Sequence, residues 1–190
     1  VDLIDRVLPD LITKDIKVIS NAGGVNPEAC RDALLEIAKA KGIDIKIGVI
    51  KGDNIYDRLD AFNESGVDFK NLETGEHFAT VKDKVYSANV YIDSFCIARA
   101  LDMGAQIVLA GRVSDPGLAL GPAIHEFGWT ADQLDLIAAG TLAGHITECG
   151  AQCTGGNYTR WDEVEDLANI GYPIIEMKEN GEFVITKHNG

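Results

Sequence analysis

The sequence predicts an α/β fold, a three-layer, mainly parallel sheet with flanking helices (Rossmann-like), followed by a C-terminal β-hairpin. Short β-branched runs alternate with stretches of helical apolar spacing, the order that produces parallel strands joined by crossover helices. The first such helix carries start and stop signals at its two ends. Near the end of the chain, Asn180-Gly181 separates two strand-like runs, which is a strong hairpin signal.

The first strand-helix-strand unit lies within the first fifty residues. Ile16–Ser20 (IKVIS) and Asp44–Ile50 (DIKIGVI) are the two strands. Between them, Asn26 is the predicted N-cap, Pro27 occupies the first helical position, and Gly42 follows the helix end. This βαβ order predicts that the two strands pair in parallel through a right-handed crossover.

The pattern recurs after a polar stretch, residues 53–80, which predicts a short helix and an excursion. Apolar spacing then predicts a helix over residues 87–103 and a strand over Gln106–Ala110 (QIVLA). Two further helices are expected, one ending near Phe127 and one spanning residues 131–148 with Thr130 as its N-cap. PIIEM and EFVIT form the arms of the hairpin.

Composition limits the class of protein. The chain has 190 residues, 46% of them hydrophobic, with a net charge of −13 and four cysteines. We expect one α/β domain over residues 1–190, with reduced thiols and a cytoplasmic location. The negative charge argues against nucleic acid as a partner, and no apolar run is long enough for a membrane span.

Polar or glycine-rich segments follow each predicted parallel strand. In open α/β sheets, ligands bind where the loops at the carboxyl ends of the strands converge. We therefore predict a ligand site built from these three loops. Its candidate residues are Asn21, Gly23, Gly24, Asp53, Asn54, Arg112, Ser114 and Asp115.

Two of these loops suggest anion recognition. SNAGGVNPE places a flexible turn ahead of a helix N-terminus, where free N–H groups favour a phosphate or carboxylate; the alternative is a plain turn that needs glycine. In GRVSDP, Arg112 could clamp a carboxylate, and Asp115 could serve as an acid or base. The alternative is an Arg112–Asp115 pair that ties down the loop, with Asp115 capping the next helix.

The segment HITECGAQCTGG, residues 145–156, leaves several interpretations open. His145, Cys149 and Cys153 have the spacing of a zinc triad on a continuous helix, but the glycines argue against that continuation. Either thiol could be a nucleophile, although the helix C-terminus raises the pKa of Cys149. Small buried hydrophobes are the favoured interpretation of both thiols.

His145 and Glu148 stand three residues apart, so one helix face carries both. They form either an acid/base pair or an arrangement that caps the helix end. We also expect Cys30, Cys96, Phe95 and Tyr91 to belong to the core.

Three longer stretches carry a family resemblance. They are SNAGGVNP, then ANVYIDSFCIARALDMGAQIVLAGRVSDPGLALGPAIHEFGW, then AAGTLAGHITECGAQCTGG followed by IGYPIIEM. Together they resemble the acyclic terpene utilisation A family, over roughly residues 17–187. Family members begin with a further strand and glycine-rich segment, so the chain is expected to be a piece of a longer family domain. The family-like patterns GRV.D and GH..ECG.Q.TGG fall on Arg112, Asp115, His145, Glu148, Cys149, Gly150, Gln152, Thr154, Gly155 and Gly156.

The resemblance implies a setting in citronellol and geraniol breakdown, which runs through branched acyl-CoA thioesters. We expect an enzyme acting on a branched-chain or terpenoid acyl-CoA or carboxylate by hydration, hydrolysis or C–C lysis. Asp115, His145 and Glu148 are its predicted catalytic groups, and Gln152, Thr154, Gly155 and Gly156 join the predicted substrate-binding set. A non-catalytic ligand-binding or assembly subunit of the same pathway is the alternative. We expect a small-molecule ligand, no cofactor and no metal, and a homo-oligomer is one candidate assembly.

Overall fold

A computed structural model describes residues 1–22, 24 and 26–188. Its helices are α1 (Asp2–Thr13), α2 (Pro27–Ala40), α3 (Leu59–Glu64), α4 (Phe95–Asp102), α5 (Gly117–Phe127) and α6 (Leu134–Glu148). Its strands are β1 (Val18–Ser20), β2 (Ile47–Ile50), β3 (Ile107–Ala110), β4 (Ile174–Met177) and β5 (Phe183–Thr186). The α/β class is confirmed, whereas the Rossmann-like three-layer assignment stays a prediction.

The parallel sheet has three strands in the order β1-β3-β2. All three strands run in parallel as expected, but β1 and β2 do not pair with each other. Ile107 of β3 stands opposite both Val18 and Ile47, so the third strand lies between the first two. All four β3 residues are buried, and a strand buried on both faces belongs in the centre of a parallel sheet.

The two faces of β3 pack against different helices. Ile107 and Leu109 join a core cluster with Leu8 of α1 and Leu34 of α2. Val108 and Ala110 join another cluster with Ile97 and Leu101 of α4. Helix α1 was not among the predicted elements, although its buried residues Leu8 and Leu11 have helical spacing.

Helix α2 begins as its sequence predicts. The side-chain oxygen of Asn26 accepts a hydrogen bond from the backbone N–H of Ala29 at 3.0 Å, and Pro27 takes the first helical position. At the far end, Gly42 has φ +66°, a left-handed conformation that glycine adopts without steric cost.

The predicted helix over residues 87–103 was wrong in its first half. Helix α4 starts only at Phe95, where the carboxylate of Asp93 accepts the Phe95 N–H at 2.8 Å. Before it, the chain is extended: Asn89 bridges to Asn54, and Ile92 pairs in parallel with Val113. The segment therefore joins the loops at the sheet end and does not extend the helix.

The start predicted for α6 was also wrong. The helix begins at Leu134, and Thr130 does not cap it. Instead, the Thr130 hydroxyl donates to the carboxylate of Asp132 at 2.6 Å, and the Thr130 N–H donates to Gln133 Oε1 at 2.8 Å. These local bonds hold residues 130–133 as a turn before the helix.

The C-terminal hairpin is confirmed. Strands β4 and β5 pair antiparallel, and Gly181 occupies the turn with φ +83°. The indole N–H of Trp129 donates to the carbonyl of Glu179 at 3.0 Å, which fastens the hairpin beside α5 and α6. Met177 packs against the same helices.

Over the residues that the structure describes, no helix combines the length and the apolarity needed to cross a membrane.

Candidate functional site

Two adjoining cavities open at the carboxyl ends of β1, β2 and β3. The sheet cavity, of about 430 Å³, is lined by Asn21, Gly24, Asp53, Asn89, Tyr91, Gly111 and Arg112. The helix cavity, of about 520 Å³, is lined by Asn21, Arg112, Asp115, Leu118, Ala119, Gly144, Thr147 and Glu148. Asn21 and Arg112 line both cavities. The two form one strand-end cleft, to which all three loops and α6 contribute.

The loop after β1 enters the cleft as a tight turn. The N–H of Gly24 donates to the carbonyl of Asn21 at 3.0 Å, and Gly24 has φ +52°. This turn leaves the exposed Asn21 side chain at the junction of the two cavities. Gly23, another predicted binding residue, lies outside the described residues.

The loop after β2 contributes Asp53. Its carboxylate packs against the backbone of Gly111, where any Cβ would overlap it, and it accepts a hydrogen bond from Asn89 Nδ2 at 2.8 Å. Asn89 was missed from the sequence because its segment was predicted as helix. Asn54 is not among the lining residues, since its side chain accepts the N–H of Tyr56 at 3.0 Å in a local turn.

Arg112 is the cationic group of the cleft. Its guanidinium lies 5.0 Å from the centre of the Tyr91 ring and donates to the Tyr91 hydroxyl at 3.3 Å. Asp115 is a looser partner, with a carboxylate oxygen 3.8 Å from the guanidinium. The bond to Tyr91, with smaller contributions from Asp115 and Glu148, raises the pKa of Arg112. The half-exposed guanidinium is thus charged and keeps donors for a ligand.

Tyr91 itself corrects a prediction. It was expected in the core, but 65% of it is exposed, and Phe95 and Cys96 are exposed as well. Only Cys30 packs against a core cluster as expected. The extended conformation that turns Tyr91 outward depends on the pairing of Ile92 with the distant residue Val113, so the local sequence carries no signal for it.

The loop after β3 approaches α6 at one glycine. A Cβ at Gly144 would come within 2.7 Å of Pro116 Cα, so only glycine permits this approach. One turn further, Thr147 and Glu148 reach the helix cavity opposite Asp115. Asp115 does not cap α5, because the N-cap position is Pro116 and has no side-chain cap bond. Ser114 points toward Gly117 and is not among the lining residues.

His145 and Glu148 occupy different surroundings. His145 is exposed and is not among the residues that line either cavity. Glu148 accepts a hydrogen bond from Cys149 Sγ at 3.4 Å. This bond raises the pKa of the Cys149 thiol, which works against a nucleophilic thiolate. The catalytic role of His145 stays a prediction without a contact in the cleft.

The whole chain matches one family model, described as Acyclic terpene utilisation family protein AtuA, over residues 1–190. The chain belongs to this family. No curated protein and no solved structure matches it at a significant level.

The last part of the family-like pattern, residues 152–156, does not line the strand-end cleft. Residues Gln152–Gly156 form a π-helical turn. The Thr154 hydroxyl donates to the carbonyl of Gly171 at 2.6 Å, and Gln152 Oε1 accepts from Asn157 at 3.2 Å. Gly155 has φ +138°, and a Cβ on Gly156 would lie 2.9 Å from the carbonyl oxygen of Ala151. These contacts stabilise the turn, and substrate binding by these four residues stays a prediction.

A structural zinc site has no ligand set in the part of the chain that the structure describes. No group of three or more histidine, cysteine, aspartate or glutamate side chains is arranged there to hold a metal ion.

Proposed function

We propose that this chain is an enzyme that adds water to a branched-chain or terpenoid carboxylate or its acyl-CoA thioester. The reaction is hydration of a double bond or hydrolysis of the thioester. The observation that carries the proposal is the helix cavity, where one guanidinium, Arg112, and two carboxylates, Asp115 and Glu148, face the same space. A guanidinium can bind a carbonyl or carboxylate group, and two carboxylates can transfer protons to and from water.

Arg112 is assigned to the carboxylate or thioester carbonyl. Its planar fork suits bidentate recognition of a carboxylate, and its positive charge stabilises the negative charge that develops on a carbonyl oxygen. Tyr91 supports the guanidinium from one side and orients it toward the cleft. Asn21, which lines both cavities, supplies a neutral amide for the same ligand group.

Asp115 and Glu148 are assigned to proton transfer. One carboxylate accepts a proton from water while the water oxygen bonds to the substrate. The other carboxyl group donates a proton to the substrate. In hydration, oxygen adds to the β-carbon and the proton goes to the α-carbon. In hydrolysis, oxygen adds to the carbonyl carbon, the C–S bond breaks and the proton goes to the departing sulfur. His145 is assigned no step.

The charges of the cleft favour recognition of the acyl end of a thioester. Among its described lining residues, Arg112 is the single cation, with Asp53, Asp115 and Glu148 nearby. Lys51, the first residue after β2, is paired with Glu28 at 2.9 Å. Phosphate groups of CoA would therefore lie outside the cleft, and the acyl group inside it.

The proposal is tested by incubating the full-length protein with geranoyl-CoA, isovaleryl-CoA and the free acids. Gain of one water by mass spectrometry reports hydration, release of free thiol reports hydrolysis, and shorter carbon fragments report C–C lysis. Arg112→Ala is expected to lower turnover about tenfold to a hundredfold, because it removes charge-assisted hydrogen bonds. Arg99→Ala, at an exposed position on α4 outside the cleft, is the matched control.

The outcomes separate the two candidate functions. Binding without turnover, still sensitive to Arg112→Ala, supports the non-catalytic ligand-binding subunit. C–C lysis retains an enzyme but contradicts the addition of water. Absence of both binding and turnover removes the site from consideration.

A further inference from the structure

An apolar groove of about 310 Å³ lies between α5, α6 and β4. It is lined by Ala119, Pro122, Ala123, Glu126, Phe127, Gly140, Ala143, Thr147, Ile175 and Met177. Ala119 and Thr147 also line the helix cavity. The groove therefore adjoins the strand-end cleft and extends from it between the two helices.

The lining of the groove is suited to a hydrocarbon. Eight of its ten lining residues carry no polar side-chain group, and Glu126 is exposed at its edge. The Thr147 hydroxyl donates to the carbonyls of Ala143 and Gly144 at 3.1 Å and 2.9 Å, so it is already satisfied within α6. A polar ligand would find few hydrogen-bond partners in the groove. Binding of an apolar chain is favourable, because it removes apolar surface from water.

Small residues create the space, and the hairpin closes it. Gly140 lies so close to α5 that a Cβ there would meet Leu120 Cδ1 at 2.6 Å, so the two helices are held together beside the groove. Ile175 and Met177 of β4 form the opposite wall. The hydrogen bond from Trp129 to Glu179 fixes that wall in place.

We propose that the apolar groove holds the hydrocarbon tail of the ligand whose carboxylate or carbonyl group binds at Arg112. The protein then selects long acyl chains over short ones, and Ala119 marks the passage between the head-group and tail subsites. This inference rests on the proposed function for the position of the head group. The occupant follows from the two lining residues that the cavities share, Ala119 and Thr147, and from the change from charged lining in the helix cavity to apolar lining in the groove.

Isovalerate and citronellate test the proposal, because the second acid is the first extended by one isoprene unit. Calorimetric titration of the full-length protein is expected to give citronellate at least about tenfold higher affinity, since each buried methylene adds up to about fourfold. Arg112→Ala is expected to weaken both acids by the same factor, because it removes the shared head-group contact.

Two variants address the groove itself. Ala119→Leu narrows the passage and is expected to weaken citronellate more than isovalerate, so that the preference for citronellate is lost. Met177→Ala removes part of the wall and is expected to weaken citronellate about three- to fivefold, with isovalerate unchanged. Ala138→Leu, at an exposed position on α6, is the matched control, and thermal unfolding verifies that each variant is folded.

Each outcome decides between the two proposals. Equal affinity of wild type for the two acids overturns the tail subsite and leaves the proposed function standing. Equal weakening of both acids by Met177→Ala in a folded protein also overturns it. If neither acid binds the wild-type protein, the head-group site fails, and the tail subsite fails with it.

Discussion

The strand-end cleft and the segment after α6, residues 149–171, are both rich in glycine and polar residues, yet they use them differently. In the cleft, Gly111 and Gly144 let a carboxylate and a helix approach the loops closely, and side chains such as Arg112 remain half exposed. After α6, Gly150 and Gly155 adopt positive φ, and polar groups bond within the segment, as Thr154 does to the carbonyl of Gly171 and Asn157 to Gln152. A motif whose residue types are common in active sites can thus serve to stabilise a turn.

Substitutions at glycine separate the two regions. A cleft glycine sets the distance between elements that carry ligand groups, so its replacement should alter both stability and binding. A glycine in the segment after α6 shapes a turn, so its replacement should alter stability alone.

Gly144→Ala is expected to have the largest effect. The new Cβ would lie 2.7 Å from Pro116 Cα, and backbone on both sides limits relaxation. We expect a loss of about 2–3 kcal/mol in the free energy of unfolding, measured by urea denaturation. Citronellate affinity should fall as well, because α6 carries Thr147 and Glu148 into the helix cavity.

The control for this substitution is Ala138→Ser on the exposed face of α6, which should change stability by less than about 0.5 kcal/mol. If Gly144→Ala keeps wild-type stability and affinity, the close approach of α6 to the loop after β3 does not set the geometry of the cleft.

Gly150→Ala is expected to have an intermediate effect confined to stability. Gly150 has φ +55°, and a Cβ there would lie 2.5 Å from Tyr172 Cε1. The left-handed backbone costs a non-glycine residue about 1–2 kcal/mol, and the exposed Tyr172 ring can move aside. We expect that loss in urea denaturation, with citronellate affinity unchanged.

Gly42→Ala is the matched control, since Gly42 has φ +66° and nothing within 4 Å of an added Cβ. The difference between the two variants measures the contact with Tyr172. Weaker citronellate binding in Gly150→Ala alone would place the segment after α6 in the ligand site and contradict its role as a purely structural turn.

The sequence was sufficient for the elements that local signals define. Asn26 and Pro27 started α2 as predicted, and Asn180-Gly181 located the hairpin, because caps and tight turns depend on neighbouring residues. Polar residues after the strands indicated the cleft, since the carboxyl ends of parallel strands share one edge. The strand order could not be predicted from local signals, because the position of β3 between β1 and β2 depends on burial over the whole sheet.

Local sequence signals predict the functional site only in part as well. Arg112 and Asp115 follow a strand directly, and their place in the cleft could be anticipated from that position. Tyr91 and Asn89 could not, because their segment is held extended by pairings with distant residues Val113 and Asn54. The motif after α6 attracted functional interpretations through its residue types, whereas bonds such as Thr154 to Gly171 span seventeen residues and are visible only in the fold.

Glu148 lies where the strand-end cleft meets the segment after α6. Its substitution is expected to have the smallest effect of those considered. It lines the helix cavity and also accepts the hydrogen bond of Cys149, which raises the pKa of that thiol. Glu148→Gln should move this pKa down toward its ordinary value, because the negative charge is removed. The rate of Cys149 alkylation by iodoacetamide should then rise about two- to threefold at mildly alkaline pH, as the thiolate fraction increases.

Peptide mapping by mass spectrometry follows Cys149 separately from the other three cysteines. The alkylation curve of Glu148→Gln should lie at lower pH than that of wild type, whereas Asp115→Asn, which changes the other carboxylate of the same cavity, should leave it in place. An unshifted curve in Glu148→Gln would mean that this carboxylate does not engage the thiol in solution. Glu148 would then belong to the cleft alone, and the boundary between the two regions would fall between adjacent residues.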